Sequence, residues 1–282
     1  MQDRPLTGKV AIVTGAGSPI GLGRAMTLAL VRAGARVAML DVSEAWLEQT
    51  ANDVREVGGD NCILTQVSDV SDPDSAEEAV RKTIAGLGGL HILINNAGII
   101  NPSGPGIGNR TNFWDITPET WSKIVAVNCS GPFYMARACV GHMVAQRWGR
   151  VIGVTTSFDS MYREGLCPYG PSKAGHEALV ALMARELERT GVTANVLVPG
   201  GATDTKFFPQ DFGYDRAALM RPEVMQAPAV WLASEESKET NGQRFIAYDW
   251  DESLPIEQRL KKAGAPAAWP QLGKQGKIIP WP

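Results

Sequence analysis

Tyr169 and Lys173 have the residue types and the spacing needed for acid–base chemistry at a hydroxyl or carbonyl oxygen. A phenol with a pKa of about 10 is a poor base at neutral pH, but a nearby ammonium group stabilises the phenolate and lowers that pKa. A separation of four residues places both side chains on one face of a helix. Pro171 lies between them, and proline is tolerated in the first turn of a helix. The sequence therefore predicts Tyr169 at a helix entrance, with Lys173 in the first turn.

A glycine-rich stretch near the N-terminus, TGAGSPIGLG (14–23), joins a predicted strand to a predicted helix. Glycines permit a tight turn and a close approach of the backbone to a pyrophosphate. The helix N-terminus that follows supplies free N–H groups and the positive end of the helix dipole. The pattern indicates a dinucleotide-binding turn whose candidate residues are Gly15, Gly17, Gly21 and Gly23.

Asp41 ends the next predicted strand, 18 residues after Gly23. A carboxylate at this position can accept hydrogen bonds from the adenosine ribose hydroxyls, and it would repel a 2′-phosphate. Val42 and Ser43 follow, and no arginine is present there to bind a phosphate. The sequence therefore predicts NAD as the cofactor in preference to NADP.

Short apolar runs alternate with helical patterns along the chain, as expected for a parallel sheet covered on both faces. No linker-like stretch divides them, so we expect one doubly wound α/β domain of about seven strands over residues 1–252. Residues 253–282 contain five prolines and two tryptophans and show little periodicity. We predict that this C-terminal extension packs on its own or a neighbouring subunit. The predicted strands are 10–14, 36–40, 63–67, 91–98, 150–155, 193–198 and 244–248, and the main helices are 24–35, 43–57, 73–85, one beginning at Thr117, 171–190 and 221–233.

Four motifs in this order resemble the short-chain dehydrogenase/reductase family. They are the TG turn with its glycines, Asp69-Val70 after the third strand, Asn95-Asn96-Ala97-Gly98 after the fourth, and Tyr169-x-x-x-Lys173. The resemblance runs from about residue 9 to residue 248. It departs from the family pattern in two extra turn residues, Pro19 and Ile20, and in the absence of the usual C-terminal Asp-Gly-Gly. The resemblance implies a Rossmann-like fold and reversible hydride transfer between NAD and a secondary alcohol or ketone.

The resemblance also assigns expected roles to individual residues. Asp69 should bond near the adenine ring, with Val70 also among the cofactor-binding residues, and Asn95 to Gly98 should line the cofactor and brace the sheet. Asn128 should kink a helix and hold a water near Lys173, which extends a proton path. Beside the nicotinamide, the expected residues are Pro199 and Gly200, with Thr203 and Thr205 both candidates for the amide-binding threonine.

A third catalytic group should donate a hydrogen bond to the substrate oxygen. The family places a serine after the fifth strand, usually thirteen residues before the tyrosine. That position holds Thr156 here, and Ser157 is one residue later. Either hydroxyl can donate; we favour Ser157 on residue type, with Thr156 as the alternative.

Composition narrows the class of partner. A net charge of −3 and a pI of about 5.7 argue against a general nucleic-acid or acidic-membrane binder. No apolar run approaches the length that spans a bilayer, the N-terminus has no signal-like stretch, and the four cysteines lack metal-ligand spacing. We therefore expect a cytoplasmic enzyme that binds a small-molecule substrate and no metal, and the family resemblance suggests a homotetramer or dimer.

Three other functions remain open at this level. A 3-oxoacyl thioester reductase would use the same chemistry, although that variant usually prefers NADPH, which Asp41 disfavours. A lyase or epimerase could retain NAD through a transient oxidation, and an NAD-binding regulator would need no tuned phenol. Substrate choice is expected to depend on residues 205–220 and on the inserted loop 101–112.

Overall fold

A central sheet of eight strands organises the residues that the computed structural model describes, which are 4–101, 111–207 and 215–270. Its strand order is β3-β2-β1-β4-β5-β6-β7-β8, and every pairing is parallel except the last, between β7 and β8. The strands are β1 Val10–Thr14, β2 Arg36–Asp41, β3 Ile63–Val67, β4 Ile92–Asn95, β5 Gly149–Val154, β6 Val192–Val198, β7 Gln243–Ile246 and β8 Gly264–Pro266.

Helices cover both faces of this sheet. Alternate residues of β1 divide between two apolar cores, with Ala11 and Val13 in one and Val10 and Ile12 in the other. The first core includes residues of α1, α2 and α8, and the second includes residues of α3, α5 and α7. The helices are α1 Leu22–Arg32, α2 Glu44–Gly58, α3 Pro73–Leu87, α4 Pro118–Val125, α5 Gly131–Ala145, α6 Phe158–Tyr162, α7 Tyr169–Glu186, α8 Gln226–Ala233 and α9 Ile256–Ala263.

The strand order reverses between β1 and β4, because the chain builds the sheet first toward β3 and then toward β7. In open α/β sheets, ligands bind beyond the carboxyl ends of the strands at such a switch point. The residues that end β1, β4 and β5 are Thr14, Asn95 and Val154. The fold therefore brings the glycine-rich turn, the Asn95–Gly98 motif and the threonines after β5 to one edge.

The C-terminal region is more regular than the sequence pattern predicts. Residues 256–266 form α9 and β8, and β8 adds an antiparallel eighth strand to the expected seven. The predicted helix 221–233 begins as a 3-10 turn over Pro222–Met225 before α8. The last part of the predicted extension, 271–282, lies outside the described residues. Across the described ranges, no helix combines the length and the apolar character needed to cross a bilayer.

Candidate active site

Thr14, the last residue of β1, joins the glycine-rich turn to the segment after β4. Its hydroxyl oxygen accepts hydrogen bonds from the backbone N–H groups of Asn96 and Ala97, both at 3.0 Å. The Asn96 side-chain amide in turn donates to the carbonyl oxygens of Thr14 at 2.8 Å and Gly15 at 3.1 Å. The two motifs therefore form one rigid unit. Sequence reasoning did not single out Thr14, although it stands in the TG signature.

Two glycines of the turn are required by this close packing. Gly15 has φ +63°, in the left-handed region, and a Cβ there would lie 2.9 Å from the Cα of Ala97. A Cβ on Gly23 would lie 2.3 Å from the carbonyl oxygen of Gly15. Gly21 precedes α1, and no side chain caps that helix. Its first N–H groups therefore suit an anionic group such as a pyrophosphate.

Asp41 lies against the middle of the glycine-rich turn. Its Oδ2 accepts from the backbone N–H of Gly17 at 3.0 Å, and its Oδ1 accepts from that of Ser43 at 3.1 Å. The hydroxyl of Thr50 donates to the carbonyl oxygen of Gly17 at 2.6 Å. Carboxylate oxygens have further lone pairs, so Asp41 can accept from ribose hydroxyls while it holds the turn.

The two-residue insertion in this turn contacts the segment after β6. The carbonyl oxygen of Ile20 accepts a hydrogen bond from the backbone N–H of Lys206 at 3.0 Å, and from the Ser18 hydroxyl at 3.1 Å. The longer turn therefore ties the start of α1 to the segment after β6.

Asp69 and Val70 have different environments. Asp69 is exposed, and its Oδ1 accepts hydrogen bonds from the backbone N–H and the hydroxyl of Ser71 at 2.9 and 2.7 Å. Val70 is buried, and a Cβ on Gly131 would lie 2.8 Å from its side chain. Val70 therefore packs under the start of α5, while Asp69 remains accessible to an adenine ring.

Tyr169 is the first residue of α7, and Pro171 falls in the first turn, as predicted. Burial raises the pKa of the Tyr169 phenol to about 12, and a hydrogen bond with the Thr156 hydroxyl lowers it in part. The Ser157 hydroxyl is instead hydrogen-bonded to that of Ser160 at 2.8 Å. Thr156, and not Ser157, is therefore the hydroxyl that acts on the pKa of the phenol, whereas the sequence analysis favours Ser157.

The Lys173 ammonium is buried one turn along α7. Its Nζ donates to the carbonyl oxygen of Val154, the last residue of β5, at 2.9 Å. Burial lowers the pKa of Lys173 to about 8, and the nearby Cys129 opposes that shift. A Cβ on Gly98 would lie 3.2 Å from Nζ, so the motif after β4 closes tightly on the ammonium. A group with this pKa is still mostly a cation at neutral pH.

Asn128 lies in a π-helical turn, Ala126–Ser130, between α4 and α5. Its Oδ1 accepts from the backbone N–H of Ile99 at 2.8 Å, and its Nδ2 donates to the carbonyl oxygen of Ile99 at 2.8 Å and to the Ser172 hydroxyl at 3.0 Å. Single π-turns within helices occur frequently at functional sites. Asn128 therefore links the segment after Gly98 to the residue that precedes Lys173. Sequence reasoning missed Ser172. The only feature of the sequence that could have indicated it is its position next to Lys173.

The turn after β6 lies beside Tyr169. Pro199 accepts a backbone hydrogen bond from Tyr248 at 3.0 Å, and Gly200 has φ +106°. Thr203 and Thr205 are both buried; the hydroxyl of Thr203 donates to Gly201, and that of Thr205 accepts from the N–H of Phe207. The local geometry therefore does not separate Thr203 from Thr205, and both remain candidates for the threonine that binds the nicotinamide amide. The ring of Phe207, which sequence reasoning missed, lies 5.6 Å from that of Tyr169 between centroids.

Parts of the predicted substrate region, 102–110 and 208–214, lie outside the described residues. Within the described part of the chain, no three His, Cys, Asp or Glu side chains come together as a metal site.

Comparison with known proteins identifies the group to which this site belongs. The profile of the short chain dehydrogenase family matches residues 9–212, which is more than half of the chain. The chain belongs to the short-chain dehydrogenase/reductase family. A hydroxyacyl-CoA dehydrogenase of Mycobacterium tuberculosis is 32% identical over 260 residues, covering 86% of this chain and 78% of that protein. A 3-oxoacyl-[acyl-carrier-protein] reductase of Thermotoga maritima is 29% identical, covering 84% and 95%.

A solved structure supports the same assignment. The short-chain type dehydrogenase/reductase from Mycobacterium marinum matches with a TM-score of 0.77 and 27% identity, covering 86% of this chain and 95% of that one. The doubly wound fold and the family resemblance are thereby confirmed. As a member of the short-chain dehydrogenase/reductase family, the protein is an oxidoreductase that uses a nicotinamide cofactor and acts on an alcohol or ketone.

Proposed function

We propose that the protein catalyses the reversible oxidation of a small secondary alcohol to a ketone with NAD. One observation carries the proposal: Tyr169, whose phenol pKa is lowered in part by the Thr156 side chain, begins the helix on which the buried Lys173 ammonium lies one turn away. A phenol, a hydroxyl donor and a fixed positive charge are the groups needed to move a proton at a carbinol oxygen.

The groups around the turn fit a dinucleotide. The uncapped start of α1 suits its pyrophosphate, and the Asp41 carboxylate suits a ribose with free hydroxyls. When bound, the nicotinamide ring accepts a hydride from the alcohol carbon or supplies one to the ketone. The negative charge of Asp41 beside the turn disfavours a 2′-phosphate, which supports NAD over NADP. The other residues proposed to hold the cofactor are Asp69, Asn96, Ala97, Gly98, Pro199, Gly200 and one of Thr203 and Thr205.

The proton is transferred by the chain's own residues. Thr156 holds the substrate oxygen by a hydrogen bond, and Tyr169 removes the hydroxyl proton in oxidation or supplies it in ketone reduction. Without cofactor, the pKa of Tyr169 is raised to about 12, so the phenol is protonated at neutral pH. Positive charge brought close to the phenol lowers its pKa, and we propose that Lys173 contributes such a charge in the working site.

Asn128 is proposed to position the part of the proton path that lies beyond Lys173. Its amide fixes Ile99 and the hydroxyl of Ser172, which adjoins Lys173. With both of its amide atoms used in this way, Asn128 keeps its orientation. A water held near Lys173 by this arrangement would extend the path toward solvent.

Reduction of a 3-oxoacyl thioester is the second candidate function. Two similar proteins carry names of this kind, a hydroxyacyl-CoA dehydrogenase and a 3-oxoacyl-[acyl-carrier-protein] reductase. The same Tyr169, Lys173 and Thr156 would act on the 3-oxo group. A lyase or epimerase that retains NAD would differ from both, because it would release no stoichiometric NADH.

We further propose a cytoplasmic homo-oligomer, a dimer or a tetramer. The four cysteines are all free thiols in the structure, which suits a reducing compartment. The oligomer is supported by membership of the family, and analytical ultracentrifugation of the full chain tests it.

The function is tested with a panel of secondary alcohols and NAD at alkaline pH, read at the NADH absorbance. Tyr169→Phe should abolish turnover and leave the Kd for NAD unchanged, because it removes only the phenolic oxygen. Tyr134→Phe, on α5, is the matched control and should retain full activity. Turnover that survives Tyr169→Phe would refute the mechanism, and product formed without NADH would favour the lyase or epimerase.

A further inference from the structure

We propose that Glu177 and Arg244 form a buried brace that positions Thr156 for proton transfer at the substrate oxygen. This inference rests on the proposed function, because it gives Thr156 a role in that reaction. Neither residue touches the Tyr169 phenol, so both are positioning residues.

Glu177 continues the row of functional residues on α7. Tyr169, Lys173 and Glu177 are spaced by four residues and therefore share one face of the helix. The Glu177 side chain is fully buried. Its Oε2 accepts a hydrogen bond from the Thr155 hydroxyl at 3.0 Å, which ties the helix to the residue just before Thr156.

Arg244, on β7, completes the brace. Its Nε donates to Oε1 of Glu177 at 3.0 Å, and its Nη2 donates to the backbone carbonyl oxygen of Thr156 at 3.1 Å. β5 ends at Val154, so both threonines lie just beyond the regular strand. The brace holds Thr155 by its side chain and Thr156 by its backbone. The brace binds Thr156 through its backbone alone, which leaves its hydroxyl available for the substrate oxygen.

The charges of the brace point to a geometric role. A buried ion pair is a weak source of stability, because desolvation of both groups offsets their attraction. The planar guanidinium of Arg244 can bind two acceptors in fixed directions, which an ammonium cannot do in the same way. It uses this capacity to join Glu177 to Thr156.

The segment after β8 also donates a hydrogen bond to the Glu177 carboxylate. The backbone N–H of Ala268, just after β8, donates to Oε1 of Glu177 at 3.4 Å. The brace therefore connects four parts of the fold: the end of β5, α7, β7 and the chain beyond β8. Because misplacement of a reacting group by about 1 Å can cost about a hundredfold in rate, this support bears directly on turnover.

A double-mutant comparison tests the proposal. Arg244→Lys and Thr155→Val are each made in the wild-type enzyme and in a Thr156→Ala background, and kcat and the KM for NAD are measured. If the brace acts through Thr156, each change should lower kcat about tenfold in the wild type with an unchanged KM for NAD. Neither change should lower kcat further in the Thr156→Ala background. Equal factors in both backgrounds would overturn the proposal.

Arg150 supplies a matched control. It is a buried arginine at the start of β5, where its Nε donates to the carbonyl oxygen of Ser234 at 3.0 Å. Arg150→Lys should lower Tm and leave kcat unchanged in both backgrounds. A loss of kcat in Arg150→Lys equal to that in Arg244→Lys would show a general effect of stability and would refute the brace.

Thr155→Val and two variants of Glu177 keep the test decisive. Thr155→Val removes one hydroxyl and keeps the ion pair, so it remains informative where Arg244→Lys does not fold. Glu177→Gln keeps the shape of the side chain and an acceptor for Arg244, and should retain more activity than Glu177→Ala. Equal losses in those two variants would contradict positioning by hydrogen bonds. A wild-type enzyme inactive on every alcohol would instead refute the proposed function itself.

Discussion

The carboxylate of Asp41 accepts a hydrogen bond from the backbone N–H of Gly17 at 3.0 Å. The residue that the sequence assigns to the ribose therefore also fixes the glycine-rich turn. A Cβ on Gly17 would lie 2.9 Å from the Cβ of Asp41, so the two residues are in direct contact. The shape of the turn consequently depends on the same side chain to which the proposed function assigns the preference for NAD.

Asp41→Ala should weaken both the binding of NAD and the stability of the glycine-rich turn. The Kd for NAD is expected to rise about tenfold, and the loss of a partner for the Gly17 N–H should lower the free energy of unfolding by about 1–3 kcal/mol. Calorimetric titration and urea unfolding measure the two effects. Asp53→Ala, which breaks the ion pair with Arg24, should leave the Kd unchanged. A wild-type enzyme that binds NADP more tightly than NAD would contradict the assignment.

The identity of the third catalytic hydroxyl can be decided by paired substitutions. Thr156→Ala should lower kcat about a hundredfold, because it removes a donor aimed at the reacting oxygen. Thr156→Ser should retain most of the activity. Ser157→Ala removes only the bond to Ser160 and should leave kcat within about twofold. Steady-state kinetics with one alcohol compare the three variants, and a larger loss in Ser157→Ala would reverse the assignment.

Burial of Lys173 predicts a specific dependence of stability on pH. Its pKa falls from 10.5 to about 8 on folding, so the unfolded chain binds more protons between those values. The wild type should therefore gain stability relative to Lys173→Met as the pH rises from 8 to 10.5, by about 3 kcal/mol in total. Below pH 8 the difference should be constant. Urea unfolding of both cofactor-free proteins measures it, and a flat difference throughout would show that the ammonium is not desolvated.

Arg147, just after α5, offers a test of backbone strain. It has φ +56°, and the bond from the N–H of Trp148 to the carbonyl of Met143 completes a helix-ending turn that favours glycine. Arg147→Gly should raise the free energy of unfolding by about 1 kcal/mol. Gln146→Gly, at a residue in the right-handed region, should lower it, because it adds backbone freedom to the unfolded chain and removes the side-chain hydrogen bonds to the carbonyl oxygens of Leu90 and Trp148. Thermal unfolding ranks the two variants, and destabilisation by both would contradict the prediction.

The sequence predicted those parts of the site whose signals are local. The bounds of β1 follow from its apolar run, and the entrance of α7 follows from the position of Pro171. The choice between Thr156 and Ser157 could not be made, because it depends on how the segment up to Tyr169 folds back. The hydrogen bond between Glu177 and Arg244 spans 67 residues, and nothing in their local sequence pairs them.

The C-terminal strand shows another limit of local patterns. β8 has the sequence Gly-Ala-Pro, which carries no strand propensity of its own. It forms because β7 offers a free edge, and α9 places the chain beside that edge. A strand that forms only because it pairs with a neighbouring strand cannot be predicted from the hydrophobic periodicity of its own sequence.

The shape of β8 also bears on how copies of the chain can meet. The strand is three residues long, runs against the direction of β7 and ends in Pro266, which has no N–H to offer. Such an edge is a poor template for strand addition from another molecule. An assembly of this protein is therefore not expected to continue the sheet from the β8 edge, and the same short edge should disfavour ribbon-like aggregation on that side of the sheet.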